Sequence, residues 1–321
     1  MYSVVITGAE GSGGSYLSEY LLSLPDDILI FAPSRWRGNR KNNSRVKSEK
    51  FKRIECDLTD LSSVIRFFEI AKPHLVFNLA SHANVRASFD VPLAVFDNNT
   101  RSTHNILEAL RILKIKPTFI QGSTFEVYGN PKLTQLSVTE DQKLDPVSPY
   151  AASKVAQEML ALSYFHSFEI PIVITRMATY LNSRRSDLFA TAFATQLLKM
   201  KASGKLSKLE HGNLNSVRTI LDIRDACSAY WVAARKCNIG ETYNIAGSVS
   251  MKVGDMLNHL MKHIDIYPEL VEAPRLIRSA DINVQLPNSE KFRKTTNWKE
   301  KYDFNESFDY FIKELQNNIY N

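Results

Sequence analysis

The sequence predicts an α/β fold: a doubly wound parallel sheet with a smaller, mostly α lobe toward the C-terminus. Three observations predict it. Short apolar runs alternate with segments of helical period through the first half. That alternation gives a parallel sheet with helices on both faces, wound by right-handed crossovers. A loop of closely spaced glycines joins the first run to the first helical segment, and the looser second half still returns a helix and a strand near 223–245.

Residues 2–7 (YSVVIT) are a β-branched run ending at a glycine, as in a buried parallel strand. Leu17, Leu21, Leu22 and Leu24 then recur at helical spacing. Further strands are expected at 28–32, 51–56, 74–80, 118–122 and 172–176, with helices over 61–68 and 91–113 between them. Ser148 as N-cap and Pro149 at the first helical position open another helix. A covering helix is expected over 223–234 and a strand over 241–245. The expected division is a dinucleotide-binding domain over 1–176 and a substrate lobe over 177–321, with 214–247 returning partly to the first.

Composition is that of an ordinary globule, with 44% hydrophobic residues and a net charge of +6. There is no run of about eighteen apolar residues to cross a membrane and no basic leader with a cleavage site. Cys56, Cys227 and Cys237 show no metal-ligand spacing and cannot all pair. A cytoplasmic enzyme without a metal is expected. Between Arg35 and Arg53 stand nine basic residues and one acidic one, Glu49. A nucleic-acid patch is one reading, and a loop that meets a small-molecule phosphate is the favoured one.

Thr7-Gly8-Ala9-Glu10-Gly11-Ser12-Gly13-Gly14 lies where the first strand meets the first helix. Gly8, Gly11 and Gly14 allow a tight turn, close backbone approach to a pyrophosphate and close helix–strand packing. With Ser12 and Gly13 at the helix N-terminus, they make the Rossmann-type dinucleotide site. A carboxylate after the second strand would bond the ribose hydroxyls of NAD. Here the chain reads Phe31-Ala32-Pro33-Ser34-Arg35, without one. Ser34 and Arg35 instead suit a 2′-phosphate, so NADP is expected. Asp57 and Leu58, after the third strand, are placed to meet the adenine, although Asp57 also reads as a helix cap.

Tyr150 and Lys154, four residues apart, share one helix face. A free tyrosine (pKa about 10) is a poor base, and an ammonium beside it favours the phenolate. Ser123-Thr124-Phe125-Glu126 ends the fifth strand, at the carboxyl edge where open parallel sheets bind ligands. Thr124 is expected to bond the oxygen on C4 of a sugar and Glu126 to act as acid or base. The alternative is a strand-ending turn with an exposed glutamate.

The glycine loop, Asp57-Leu58, Asn78-Leu79-Ala80, Asn99, the Ser123-to-Gly129 turn and the Tyr150–Lys154 pair together resemble the extended short-chain dehydrogenase/reductase family over nearly the whole chain. Within it the chain is similar to GDP-mannose 4,6-dehydratases through Gly14-Ser15-Tyr16-Leu17 and the segment Asn182 to Phe189. It is similar to GDP-4-keto-6-deoxy-mannose reductases through His211-Gly212-Asn213-Leu214, Val217-Arg218, the stretch from Asp222 to Ala226 and Tyr243-Asn244-Ile245. The resemblance implies cofactor contacts at Leu79, Ala80, Ser81 and Asn99 and substrate contacts at Thr179, Asn182 and Phe189. It implies that Arg218 and Arg278 grip a diphosphate, and that Arg184 and Arg185 lie in a loop between subunits. It also implies a homodimer or homotetramer built through the helices at 91–113 and 149–167.

Three positions depart from those subfamilies: Phe125 where many sugar dehydratases carry Ser or Asp, Thr179 where an Asn is common, and Thr219 where an Asp follows the arginine. The expected activity is NADP-dependent 4,6-dehydration of a nucleoside-diphosphate sugar, with GDP favoured. An NADPH-dependent 4-keto reductase and an epimerase are the alternatives. A non-catalytic NADP sensor is the remote one, and an intact Tyr150–Lys154 pair argues against it.

Overall fold

The computed structural model describes residues 1–35, 46–131, 137–277 and 280–320. The first half runs β1 (Tyr2–Thr7), α1 (Ser12–Ser23), β2 (Ile28–Ser34), β3 (Phe51–Glu55), α2 (Leu61–Ala71), β4 (Leu75–Asn78), the short α3 (Ala87–Asp90), α4 (Pro92–Ile112), β5 (Thr118–Thr124), α5 (Pro149–Phe168) and β6 (Ile172–Met177). The second half runs β7 (Thr179–Leu181), α6 (Phe189–Ser203), β8 (Leu209–His211), β9 (Val217–Asp222), α7 (Ile223–Lys236), β10 (Thr242–Ile245), β11 (Val249–Lys252), α8 (Val253–Ile264), β12 (Leu270–Glu272), β13 (Val284–Gln285), α9 (Glu290–Thr296) and α10 (Phe304–Tyr320).

Seven strands form one parallel sheet in the order β10-β6-β5-β4-β1-β2-β3. The order reverses on either side of β1, and that switch point opens a crevice at the carboxyl ends of the strands. Alternation within a strand sends side chains to opposite faces. Val4 and Ile6 pack with α1 and α7 on one face, while Val5 packs with α2, α4 and α5 on the other. Each is fully buried, and burying an aliphatic side chain contributes about 1.5–3 kcal/mol.

Caps fix where the helices start. Ser148 accepts from the Ala151 N–H at 3.1 Å, with Pro149 following, as the sequence predicts. Asp60 caps α2 and Asp222 caps α7. β4 ends at Asn78, short of the expected 80, because the Thr7 hydroxyl takes the N–H groups of Leu79 and Ala80 and draws the chain off the ladder. β5 runs on to Thr124 beside β6, whose Arg176 and Met177 lie opposite Ser123 and Thr124.

β10 returns to the outer edge of the large sheet against β6, and α7 packs beneath it. The rest of the second half gathers around α6, α8 and α10 with a core of its own. Two small sheets join it, one of β11, β9, β13 and β7, the other of β8 and β12. Their strands have two to six residues, too few for a clear alternation in the sequence. Among the described residues no helix is long and apolar enough to cross a membrane.

Candidate active site

The glycine loop is built for close approach. Gly8 has φ +70°, and a Cβ there would stand 3.0 Å from the Ala80 Cα. A Cβ on Gly14 would lie 2.2 Å from the Gly8 carbonyl oxygen, so only glycine lets α1 start this near the loop. The Gly11 N–H closes the turn on Gly8 O at 2.8 Å. No side chain caps α1 at Gly11, and no acidic residue sits in its first turn. Helix-start N–H groups without a side-chain cap, with the positive end of the dipole behind them, suit an anion. Ser12 and Gly13 open that turn.

Thr7 laces the crevice, giving its proton to Asn78 Oδ1 at 2.8 Å while accepting from Leu79 and Ala80 at 3.0 Å each. The Ser81 hydroxyl is buried there without a partner. Asn99 lies beneath, fully buried, accepting from the His82 N–H at 2.7 Å and donating to Ser153 at 2.9 Å. It therefore shapes the loop after β4.

At the other end of the crevice, Ser34 finishes β2 and Arg35 follows it. The carboxyl of Asp57 is held below its usual range, first by the Thr59 N–H and also by the Thr59 hydroxyl and the Arg35 charge. Asp57 thus folds its own turn, and the α2 cap is Asp60 instead. The Leu58 carbonyl accepts from Asn105 at 2.9 Å. Residues 36–45, which carry part of the basic stretch, lie outside the described residues.

Thr124 ends β5 and caps the 3₁₀ turn Phe125–Tyr128, accepting from the Glu126 N–H at 3.3 Å. Its hydroxyl lies near Tyr150 and opposes the rise of that phenol. The Glu126 carboxylate accepts from Gln285 at 2.8 Å. Thr124, Glu126 and Tyr150 line a single cavity of about 670 Å³, together with Thr179, Phe189 and Arg218. Burial pushes the Tyr150 phenol well above its ordinary range, with the Arg185 guanidinium opposing and Glu126 adding to the rise.

Lys154 differs from the expectation. Its ammonium donates to the carbonyl of Gly122 at 2.7 Å, and burial lowers it to about 8, with Glu158 opposing. The Arg185 guanidinium favours a Tyr150 phenolate. One turn beyond Lys154, Glu158 is fully buried, accepts a hydrogen bond from the Ser123 hydroxyl and binds Arg176 through both oxygens. Arg176 also donates to Tyr128 at 2.7 Å.

Two expectations for the substrate side are corrected. Asn182 is fully buried and does not line the cavity; its side-chain oxygen accepts from the Arg184 N–H at 2.9 Å and shapes the β7–α6 loop. Arg184 turns inward onto its own chain, bonding Ser15 at 2.9 Å and Glu19 at 2.7 Å over the Tyr16 ring. Arg218 is held near Asp281 at 3.7 Å. Arg278 lies outside the described residues. The sequence reading missed Arg185 as a wall of the cavity, where it bonds Ala83 O at 2.6 Å. It also missed Gln285, for which no sequence signal exists.

A model of the GDP-mannose 4,6 dehydratase family matches residues 5–310. The chain belongs to that family. It is thereby an extended short-chain dehydrogenase/reductase. A dTDP-D-glucose 4,6-dehydratase of Dictyostelium discoideum is 31% identical over 254 residues, which are 75% of this chain and 57% of that one. A GDP-6-deoxy-D-mannose reductase of Pseudomonas aeruginosa is 26% identical over 77% of this chain and 82% of its own. The chain thus spans little more than half the length of the Dictyostelium protein. The structure of a Bacillus anthracis dTDP-glucose 4,6-dehydratase in complex with NAD superposes with a TM-score of 0.85 at 23% identity, over 99% of this chain and 97% of that one. That likeness establishes the shared fold.

Proposed function

We propose that this family member is an NADP-dependent 4,6-dehydratase of a GDP-mannose-type nucleotide sugar. The observation that carries the reading is that Thr124, Glu126 and Tyr150 line one cavity. Reduction at C4 needs one proton-transfer group, whereas elimination across C5 and C6 needs a second.

Tyr150 removes the proton of the C4 hydroxyl, and Thr124 bonds that oxygen. NADP, when bound, would supply reversible two-electron redox chemistry to the sugar. With C4 a ketone, the C5 proton is acidic. Glu126, steadied by Gln285, takes it and passes it to the departing C6 hydroxyl, so that water leaves, and C5 regains a proton from solvent when C6 is reduced. Arg218 faces the same cavity and suits the diphosphate. Gly8, Gly11, Ser12, Gly13 and Gly14 would hold the pyrophosphate of the cofactor, and Ser34 and Arg35 the 2′-phosphate. The absence of a carboxylate after β2 supports NADP over NAD.

One observation favours the second reading, an NADPH-dependent 4-keto reductase. Phe125, buried against Tyr128, has no proton to give the departing C6 hydroxyl. Incubation with GDP-mannose and mass analysis separates the two. Loss of one water supports the dehydratase. No change until NADPH and a 4-keto sugar are added supports the reductase. A homo-oligomer is also proposed, supported by the exposed Leu93 and Phe96 on α4 and Met159 and Phe168 on α5.

A further inference from the structure

The cavity has a second polar wall, made by β8 and the 3₁₀ turn Pro274–Leu276 that follows β12. β8 and β12 pair in parallel, with Val271 opposite Glu210. A Cβ on Gly212 would lie 2.7 Å from the Leu276 carbonyl oxygen, so this glycine lets the turn close onto the strand. The two elements set Glu210 and Arg275 side by side as an ion pair, both half-exposed and both lining the cavity. Gln196 of α6 ties the Glu210 backbone from both sides, accepting from its N–H at 3.2 Å and donating to its carbonyl at 3.4 Å. An exposed ion pair contributes little stability, so stability does not account for one fixed in a cavity wall.

A guanidinium beside a carboxylate offers, in order, a donor, an acceptor and an acceptor. The Watson–Crick edge of guanine carries the complement: the O6 acceptor, then the N1–H and N2–H donors. Uracil and thymine carry acceptor, donor, acceptor, which turns O2 against the carboxylate. Adenine presents its N6–H₂ donor where guanine has O6, and that donor would face the guanidinium. We propose that Glu210 and Arg275 read the base of the substrate and select guanine. This deepens the nucleotide-sugar reading above and rests on it.

Calorimetric titration of wild type, Glu210→Gln and Arg275→Met with GDP and UDP tests the idea, with melting curves to verify folding. Wild type is expected to bind GDP at least about tenfold more tightly than UDP, the scale of a good bidentate base contact. Each variant is expected to bring the two affinities within about threefold, mainly by weaker GDP binding. A variant that keeps the wild-type ratio overturns the inference, and so does an equal loss for both nucleotides, which would mark a wall support only. A wild type that prefers UDP overturns it while leaving a nucleotide-sugar enzyme. A wild type that binds neither nucleotide overturns the underlying reading as well.

Discussion

Lys154 of α5 donates an ammonium hydrogen bond to the Gly122 carbonyl at 2.7 Å and so ties α5 to the end of β5. A neighbouring bond repeats the tie: the Ser123 hydroxyl donates to Glu158. Two successive strand residues are thus held by two side chains spaced four apart on one helix face, the arrangement that i, i+4 geometry provides.

Burial of Lys154 should mark the pH dependence of stability. Its folded value is about 8 against an ordinary 10.5. Below about 8 both states hold the proton and the folded state bears the full desolvation cost. Between about 8 and 10.5 the unfolded chain keeps a proton that the folded chain has released, so stability rises with pH. Urea unfolding at pH 7, 8, 9 and 10 should show Lys154→Met more stable than wild type at pH 7, with the gap narrowing toward pH 10. Parallel curves would contradict the burial argument.

Tyr150→Phe is expected to lower kcat by about 100- to 10,000-fold while leaving dinucleotide affinity close to wild type. A non-catalytic sensor would keep its cofactor-dependent behaviour. Removing the Arg185 charge takes away a cation that favours the phenolate. Arg185→Gln should therefore shift the pH–rate limb belonging to Tyr150 to higher pH. A limb that stays in place would remove Arg185 from the electrostatics of the site.

Glu158 and Arg176 form a buried pair between α5 and β6. Glu158→Gln leaves a guanidinium buried without its counter-charge, which costs about 3–5 kcal/mol. The double change Glu158→Met with Arg176→Met removes both charges and should cost clearly less. Denaturant unfolding of the two variants decides it. Equal losses would mean that packing, rather than charge compensation, sets the cost.

What was legible in the sequence is what the backbone demands. Gly8 and Gly14 announce the tight turn between β1 and α1 because no Cβ fits there, and Tyr150 with Lys154 announces a helix face because both sit on one element. Cavity walls are assembled from distant segments and leave no spacing to read. Gln285 meets Glu126 across 159 residues, and Glu210 meets Arg275 across 65. Local pattern also misled at Asn182, where a motif residue turns inward to shape its own loop. The Lys154 ammonium went to Gly122 because the end of β5 places a carbonyl oxygen within its reach.

Arg35 tests the choice of dinucleotide. It follows the last residue of β2, and its charge acts on Asp57 and on His82. A guanidinium gives a phosphate two parallel bonds, and NAD has no 2′-phosphate to receive them. Arg35→Ala should raise the KM for NADP by about tenfold or more, the scale of a lost charged hydrogen bond, and leave that for NAD within about twofold. Equal changes for both cofactors would point to a purely structural residue.

Glu126 decides between elimination and simple reduction. If its carboxylate takes the C5 proton, Glu126→Gln keeps the group that deprotonates the C4 hydroxyl and loses the base for the second step. The glutamine still accepts from Gln285 through its amide oxygen, so the 3₁₀ turn should survive. Turnover of GDP-mannose to the water-loss product should fall by about 100- to 10,000-fold. Exchange of the C5 hydrogen with deuterated solvent should fall in parallel, while reduction of bound NADP on adding substrate persists. If the enzyme is a 4-keto reductase, the same change should raise KM for the keto sugar and leave kcat within about tenfold, because a residue that only positions the sugar contributes through binding. Measuring solvent deuterium at C5 in wild type and Glu126→Gln distinguishes the two outcomes directly, since reduction at C4 never breaks that bond.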